Sequence, residues 1–315
     1  MGRCRMKILC LGAGAVGGYF AGRLVEAKAA DVTFLVREGR RKQLAADGLR
    51  VESTYGNFTL PVATVGEGEI EAPVDYVLLT CKAYDLDSAI ASIRPAVGSD
   101  TAVIPLLNGL SHIDTLNAAL GRERVLGGIA KIGITLQPDG LIKHLNDWRF
   151  ITFGEQDGVI SPRAAALKAA FDNTSVVADA VPDITHQMWE KLVHLASIAA
   201  MTTLMRSNVG EIARAPGGIA LMQDMFARNA AIATKAGYPP SAAFIDAFNK
   251  LFADTTGTYT ASMLRDIERK GPVEADHIIG FMLARAEEFG IDPSLHRIAY
   301  IHLKAYEQRR AAGRL

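Results

Sequence analysis

The sequence predicts an α/β N-terminal domain built on a doubly wound parallel sheet, followed by an all-helical C-terminal domain. The domains take residues 1–181 and 182–315. Three observations predict this. The chain opens with a short apolar run that ends in closely spaced glycines. Short apolar strands then alternate with helical periods as far as about Asp179. Beyond Pro182 the apolar residues recur at helical spacing alone, and they do so to the end. A chain of 315 residues is long enough to bury two cores.

The opening run is Met6, Ile8, Leu9, Cys10 and Leu11, and Gly12, Gly14, Gly17 and Gly18 follow it at once. Strand, tight turn and helix therefore come in the order of a Rossmann-type dinucleotide-binding unit. Gly12 allows the sharp turn, Gly14 brings backbone without a Cβ against a pyrophosphate, and Gly17 lets the next helix pack close to the strand. The free N–H groups and positive dipole end of that helix attract phosphate. Three glycines at such spacing are weak evidence in a chain with 29 of them; their place behind a strand and ahead of a βαβ unit makes the signal.

The elements then follow in order. Strands are expected at Lys7–Leu11, Val32–Val36, Tyr76–Thr80, Ala102–Leu106 and Val125–Ile132, with helices near Val16–Ala27, Arg40–Asp47, Asp85–Ile93 and Ile113–Leu120. Leu49–Ser53 and Phe58–Pro61 flank Gly56-Asn57 and predict an inserted β-hairpin. Leu141–His144 and Arg149–Phe153 are expected to extend the sheet, and Pro162–Phe171 to form its last helix. The helical domain reads as His186–Met205, Gly218–Ala236, Ala242–Phe252, Ser262–Lys270, Glu274–Phe289 and Ser294–Arg310, with Pro216, Pro239-Pro240, Pro272 and Pro293 as punctuation.

Composition narrows the function classes. Thirty-four basic residues balance thirty-four acidic ones, so no global field draws the chain to nucleic acid or to an anionic membrane, and a small-molecule substrate is expected. The most apolar stretch, Leu192–Met205, is interrupted by His194, Ser197, Thr202 and Thr203, which argues against a membrane span. The first strand begins too early for a signal peptide, and Cys4, Cys10 and Cys81 read as thiols in a reducing compartment rather than a disulfide or metal framework. The cytoplasm is the expected location.

Ligands of an open α/β sheet bind past the carboxyl ends of its strands. Arg37, Lys82, Asn108 and Lys131 are expected there. Arg37 stands 20 positions after Gly17, where an NAD enzyme carries an acid for the ribose 2′-OH. An arginine, with Arg40 and Arg41 following, suits a 2′-phosphate and hence NADP(H); the alternative is a solvated basic turn. On the long apolar helix from His186, Lys191 is the last formal charge before Arg206. Burial would lower its pKa toward a range useful for proton transfer, unless it snorkels to water. Glu274 alone reads as a surface carboxylate at a helix N-terminus, and Ser262 alone as an N-cap.

Taken together, the glycine turn, Arg37, Thr80-Cys81-Lys82-Ala83, Asn108-Gly109, Trp189-Glu190-Lys191-Leu192, Ser262-Met263-Leu264-Arg265-Asp266 and Glu274-Ala275-Asp276 follow the order of motifs in the ketopantoate reductase (2-dehydropantoate 2-reductase) family. The chain resembles that family over essentially its whole length. The resemblance implies NADPH-dependent reduction of a 2-keto acid to a 2-hydroxy acid, 2-dehydropantoate to pantoate in pantothenate biosynthesis. It further implies Lys191 as general acid, Glu274 near the substrate hydroxyl and nicotinamide, Lys82 at the cofactor, Asn108 at cofactor and substrate, and Ser262 at the substrate carboxylate. No metal is implied. Where the family pattern has asparagines, this chain has Leu195, Ala199 and Val209, with His194 as a candidate replacement polar group. That departure leaves open a less polar ketone or 2-keto acid as substrate, or an NADP-binding regulatory protein without turnover. The apolar helices pack either within the domain or across a homodimer.

Overall fold

The computed structural model describes residues 5–315; Cys4 lies outside them. The chain divides into two compact units. One takes the residues up to Leu107 together with His112–Thr185, and the other takes Asn108–Ser111 with His186–Leu315.

The first unit opens with β1 (Lys7–Leu11), α1 (Ala15–Glu26), β2 (Asp31–Leu35) and α2 (Glu38–Asp47). There follow β3 (Leu49–Glu52), β4 (Phe58–Leu60), β5 (Ala63–Val65), β6 (Tyr76–Leu79), α3 (Leu86–Ile93), β7 (Ala102–Pro105) and α4 (Ser111–Leu120). The unit closes with β8 (Gly127–Leu136), β9 (Ile142–Gly154), α5 (Pro162–Phe171) and β10 (Val177–Ala180). A parallel sheet runs in the order β5-β2-β1-β6-β7. Its strands bury both faces, as a doubly wound sheet must. Ile8 and Cys10 pack with Tyr19, Phe20 and Leu24 of α1, whereas Leu9, Val77 and Leu79 pack with Leu86, Ile90 and Leu116 of α3 and α4. Each such fully buried side chain contributes about 1.5–3 kcal/mol.

Two expectations about this sheet are corrected. The run from Val125 contributes only the bridge Val103↔Val125 to it; β8 then leaves at Gly127-Gly128, where a Cβ on Gly128 would lie 2.3 Å from the Pro105 carbonyl oxygen. The segments at 141–144 and 149–153 do not extend the parallel sheet either. They are one strand, β9, in a second sheet ordered β10-β9-β3-β4, with β8 antiparallel to β9. Asn146 bridges the apparent interruption: its Oδ1 accepts from the backbone N–H of Gly133 at 2.9 Å and of Trp148 at 3.2 Å, beside the register shift between Ile132 and Ile134. A side chain thus replaces ladder bonds that the bulge loses. Lys131, consequently, sits within β8 and not past a strand end.

The second unit takes α6 (Ile184–Met205) from His186 onward, then α7 (Val209–Arg214), α8 (Gly218–Lys235), α9 (Ala242–Phe252), α10 (Ser262–Glu268), a π-helical turn (Asp276–Gly280) that runs into α11 (Phe281–Glu288), and α12 (Ser294–Ala311). Helix α6 is buried along most of its length, and its hydroxyls are satisfied internally. Ser197, Thr202 and Thr203 donate to the carbonyls four residues back at 2.6–2.7 Å. A buried polar chain ties it to two neighbours: Asn229 of α8 donates to Ser197 Oγ at 2.8 Å, and His296 Nε2 of α12 lies 2.8 Å from Asn229 Oδ1. Among the described residues no helix is long and apolar enough to cross a membrane.

Candidate functional site

In the first unit the predicted residues gather where β1, β2 and β6 end. Gly12 turns the chain with φ +95°, and its N–H donates to Leu35 O at 2.9 Å. Only glycine adopts this conformation without strain. Beneath the turn, the Thr80 hydroxyl donates to Leu11 O at 2.8 Å and lies 3.3 Å from Gly12 O. The buried Cys10 thiol donates to Gly12 O at 3.4 Å; burial pushes its pKa up to about 12, so it stays protonated and inert. From the other side Arg40 Nε donates to Ala13 O at 2.9 Å and its Nη1 to Gln43 Oε1 at 2.6 Å. The turn is therefore held from three directions.

What the turn presents upward is different. A Cβ on Gly14 would meet no atom within 4 Å. Helix α1 starts without a side-chain cap and without an acidic residue in its first turn, so its N-terminal N–H groups and dipole favour an anion. This cradle fits a dinucleotide pyrophosphate. Arg37 follows β2 as the N-terminal flank of α2, with its side chain 84% exposed and Nη2 3.2 Å from Asp85 Oδ1. Lys82, half-buried, opens the single turn Ala83–Asp85, whose last N–H returns to Lys82 O at 2.9 Å. Arg37, Asp85 and Lys82 thus form one polar rim beside the turn. The sequence reading grouped Arg40 and Arg41 with Arg37. In the structure Arg40 reaches back under the turn, and Arg41 pairs with Glu69 at 2.7 Å.

Asn108 and Gly109 follow β7, yet the segment Asn108–Ser111 belongs to the helical unit. Gly109 has φ +90°, and a Cβ there would lie 2.8 Å from the His277 carbonyl oxygen. Ser111 Oγ lies 3.3 Å from His277 Nδ1. His277 sits in the π-helical turn, whose extra residue per turn is a feature that recurs at functional sites. Glu274, just before that turn, is 5% exposed. It is a buried carboxylate and not the surface group that its position after Pro272 suggested. His277 and the π turn were missed by sequence reading, because a continuous helical period hides one inserted residue.

Lys191 lies half-buried on the first half of α6, between Glu190 and Leu192. Glu190 is engaged elsewhere, accepting from the Ser241 N–H at 2.9 Å. About three turns further, Thr202 Oγ1 accepts from the Ala261 N–H at 3.4 Å. Ala261 is the N-cap of α10 and has no side chain for the task, so Ser262 is its first helical residue and not the cap. Leu195 is half-buried, and Ala199 and Val209 are fully buried. Val209 begins the helix α7, whose N-terminus Asn208 and Glu211 close with reciprocal bonds of 2.9 and 2.8 Å. His194 stacks between Phe248 and Tyr259.

Among the described residues no group of three His, Cys, Asp or Glu side chains could hold a metal ion. Residues 8–158 match the family Ketopantoate reductase PanE/ApbA, and residues 183–307 match its C-terminal domain. An uncharacterised oxidoreductase, YkpB of Bacillus subtilis, is 33% identical over 302 residues, which cover 96% of this chain and 99% of that protein. The 2-dehydropantoate 2-reductase of Geobacter metallireducens has the same fold, with a TM-score of 0.86 at 28% identity over 95% of this chain and 99% of that one. A D-mandelate dehydrogenase solved with NADH and anilino(oxo)acetate shares the fold at a TM-score of 0.85 and 21% identity, covering 97% of this chain and all of that one. By sequence over both halves and by fold over the whole, the chain belongs to the ketopantoate reductase PanE/ApbA family of oxidoreductases.

Proposed function

We propose that this protein binds NADP(H) on the glycine turn and reduces a 2-keto acid to a 2-hydroxy acid, with 2-dehydropantoate as the family's reference substrate. Gly12, Gly14, Gly17 and the start of α1 hold the pyrophosphate, the exposed Arg37 takes the 2′-phosphate, and Lys82 and Asn108 complete the cofactor contacts. The bound cofactor supplies a hydride to the carbonyl carbon.

As that bond forms, the carbonyl π pair moves to oxygen, and negative charge grows there. The Lys191 ammonium stabilises this charge and delivers the proton, leaving a neutral amine that recovers a proton from water. Glu274, buried as a carboxylate, orients the ammonium and the new hydroxyl. Ser262, the first residue of α10, receives the substrate carboxylate through its hydroxyl. Asn108 binds substrate as well as cofactor.

The observation that carries the reading is Lys191: an ammonium on a helix that is otherwise uncharged from Leu192 to Met205, in a chain of this family. NADPH consumption against a panel of 2-keto acids tests it. Oxidation of NADPH by at least one 2-keto acid, lost in Lys191→Ala, is the expected result. Binding of NADPH with no turnover of any of them would instead mark a regulatory protein. A second reading, in which the preferred substrate is a less polar ketone or 2-keto acid, is favoured by Leu195, Ala199 and Val209.

A further inference from the structure

The face of α6 that follows Lys191 is aromatic in a specific way. The His194 ring lies 4.1 Å from the Phe248 ring at 24°, and 5.7 Å from the Tyr259 ring at 11°. Three rings from α6, α9 and the segment before α10 thus form one nearly parallel stack. Phe248 continues into Phe244 at 4.6 Å and Phe226 at 5.9 Å, and Phe226 meets Phe252 at 5.4 Å. The phenylalanines anchor the stack in the core, since Phe226 and Phe252 are each 1% exposed. The three stacked residues are themselves only half-buried.

Its position relates it to the reaction. His194 stands three residues after Lys191, hence on the neighbouring row of the helix surface. Tyr259 stands three residues before Ser262, and its carbonyl accepts from the Val209 N–H at 3.0 Å. About two turns beyond His194, α6 is tied to the same segment again through Thr202 and Ala261. Lysine, stack and serine therefore share one stretch of the helical unit. Leu195, half-buried and next to His194 in the chain, offers no side-chain hydrogen bond to a substrate hydroxyl.

We infer that the stack formed by Phe248, His194 and Tyr259 is the wall that receives the substrate's side chain, and that the preferred 2-keto acid carries an aryl or bulky branched group. This rests on the reductase reading above and specifies its substrate class. Apolar and aromatic surface attracts a flat or branched hydrocarbon group through area and ring geometry. A hydroxylated side chain must shed water against the ring faces and Leu195, which form no hydrogen bond with it, and an unpaired polar group discriminates strongly.

The test is a kcat/KM series on the whole enzyme with NADPH, using pyruvate, 2-dehydropantoate, a branched-chain 2-keto acid and phenylpyruvate. The aryl or branched substrate is expected to exceed 2-dehydropantoate by at least tenfold. In Phe248→Ala and in Tyr259→Ala that substrate's kcat/KM should fall at least tenfold, mainly through KM, while pyruvate reduction changes less than threefold. A merely structural role for the stack would depress all substrates alike. Parity, or a preference for 2-dehydropantoate, overturns the inference and leaves the reductase reading standing. Turnover of no 2-keto acid at all ends both.

Discussion

The Thr80 hydroxyl occupies the space that a side chain on Gly17 would need: a Cβ built on Gly17 would lie 2.4 Å from Thr80 Oγ1. Gly12 O stands at 2.3 Å from the same point, and Cys10 Sγ at 2.9 Å. Thr80 can rotate, but the Gly12 carbonyl is backbone within the turn itself. One glycine thus fixes the approach of α1 to both β1 and β6.

Gly14→Ala and Gly17→Ala should consequently fail in different ways. The first adds a methyl where no atom lies within 4 Å, so thermal stability should be nearly unchanged while NADPH affinity, read by fluorescence titration, falls at least tenfold. The second forces the turn apart. It should lower stability by about 1–3 kcal/mol as well as abolish cofactor binding. Wild-type affinity in Gly14→Ala would remove the pyrophosphate from the glycine turn.

Lys191→Ala should lower kcat by roughly 10²–10⁴-fold, the range lost with a positioned acid or a charge-stabilising donor. NADPH should bind with unchanged affinity, because no cofactor contact is assigned to this side chain. Stopped-flow hydride transfer together with the fluorescence titration separates the two quantities. A variant that keeps wild-type turnover would assign the proton to another group.

Gly109→Ala probes the loop that carries Asn108. With φ +90° and the His277 carbonyl 2.8 Å from a new Cβ, alanine must both strain the backbone, at about 1–2 kcal/mol, and push against the π-helical turn that follows Glu274. The expected result is a kcat/KM reduced about tenfold or more with the fold retained, measured by steady-state kinetics beside circular dichroism. His277→Ala removes the Ser111 contact but not the carbonyl, and should cost less.

Much of this was legible in the residues. Lys7–Leu11 is a short apolar run bounded by a glycine turn and buried on both faces at Ile8, Leu9 and Cys10, so its strand appears as expected, and the long helices of the second unit follow from their period. Partners were not legible. The pattern at Val125 says strand, but whether it joins the parallel sheet depends on Gly128 packing against Pro105, a contact far from local. Asn146-Asp147 carries the composition of a turn, and only the bulge at Gly133 makes Asn146 a ladder substitute. The burial of Glu274 is likewise a matter of tertiary packing, and Ser262 as a first helical residue goes with the Ala261 N–H held by Thr202. Arg40 was read as a phosphate ligand because sequence cannot tell which way a guanidinium turns.

Stability should fall in mild acid, and His296 supplies the reason. It is fully buried, its Nε2 lies against Asn229 Oδ1, and its pKa is lowered to about 4 by burial first and by Arg228 second. The free imidazole titrates near 6.5. Between these values the unfolded chain binds a proton that the folded chain refuses, so unfolding free energy rises with pH across this window. The neutral ring's contribution is complete above about pH 6.5 and is lost as pH falls toward 4, a change on the order of 3 kcal/mol. Urea unfolding at pH 7.5, 6.0 and 5.0 should show this decline. His296→Gln, which keeps an amide donor for Asn229 but cannot titrate, should flatten it even if the variant starts from lower stability. An equal slope in the variant would move the acid sensitivity from His296 to other groups.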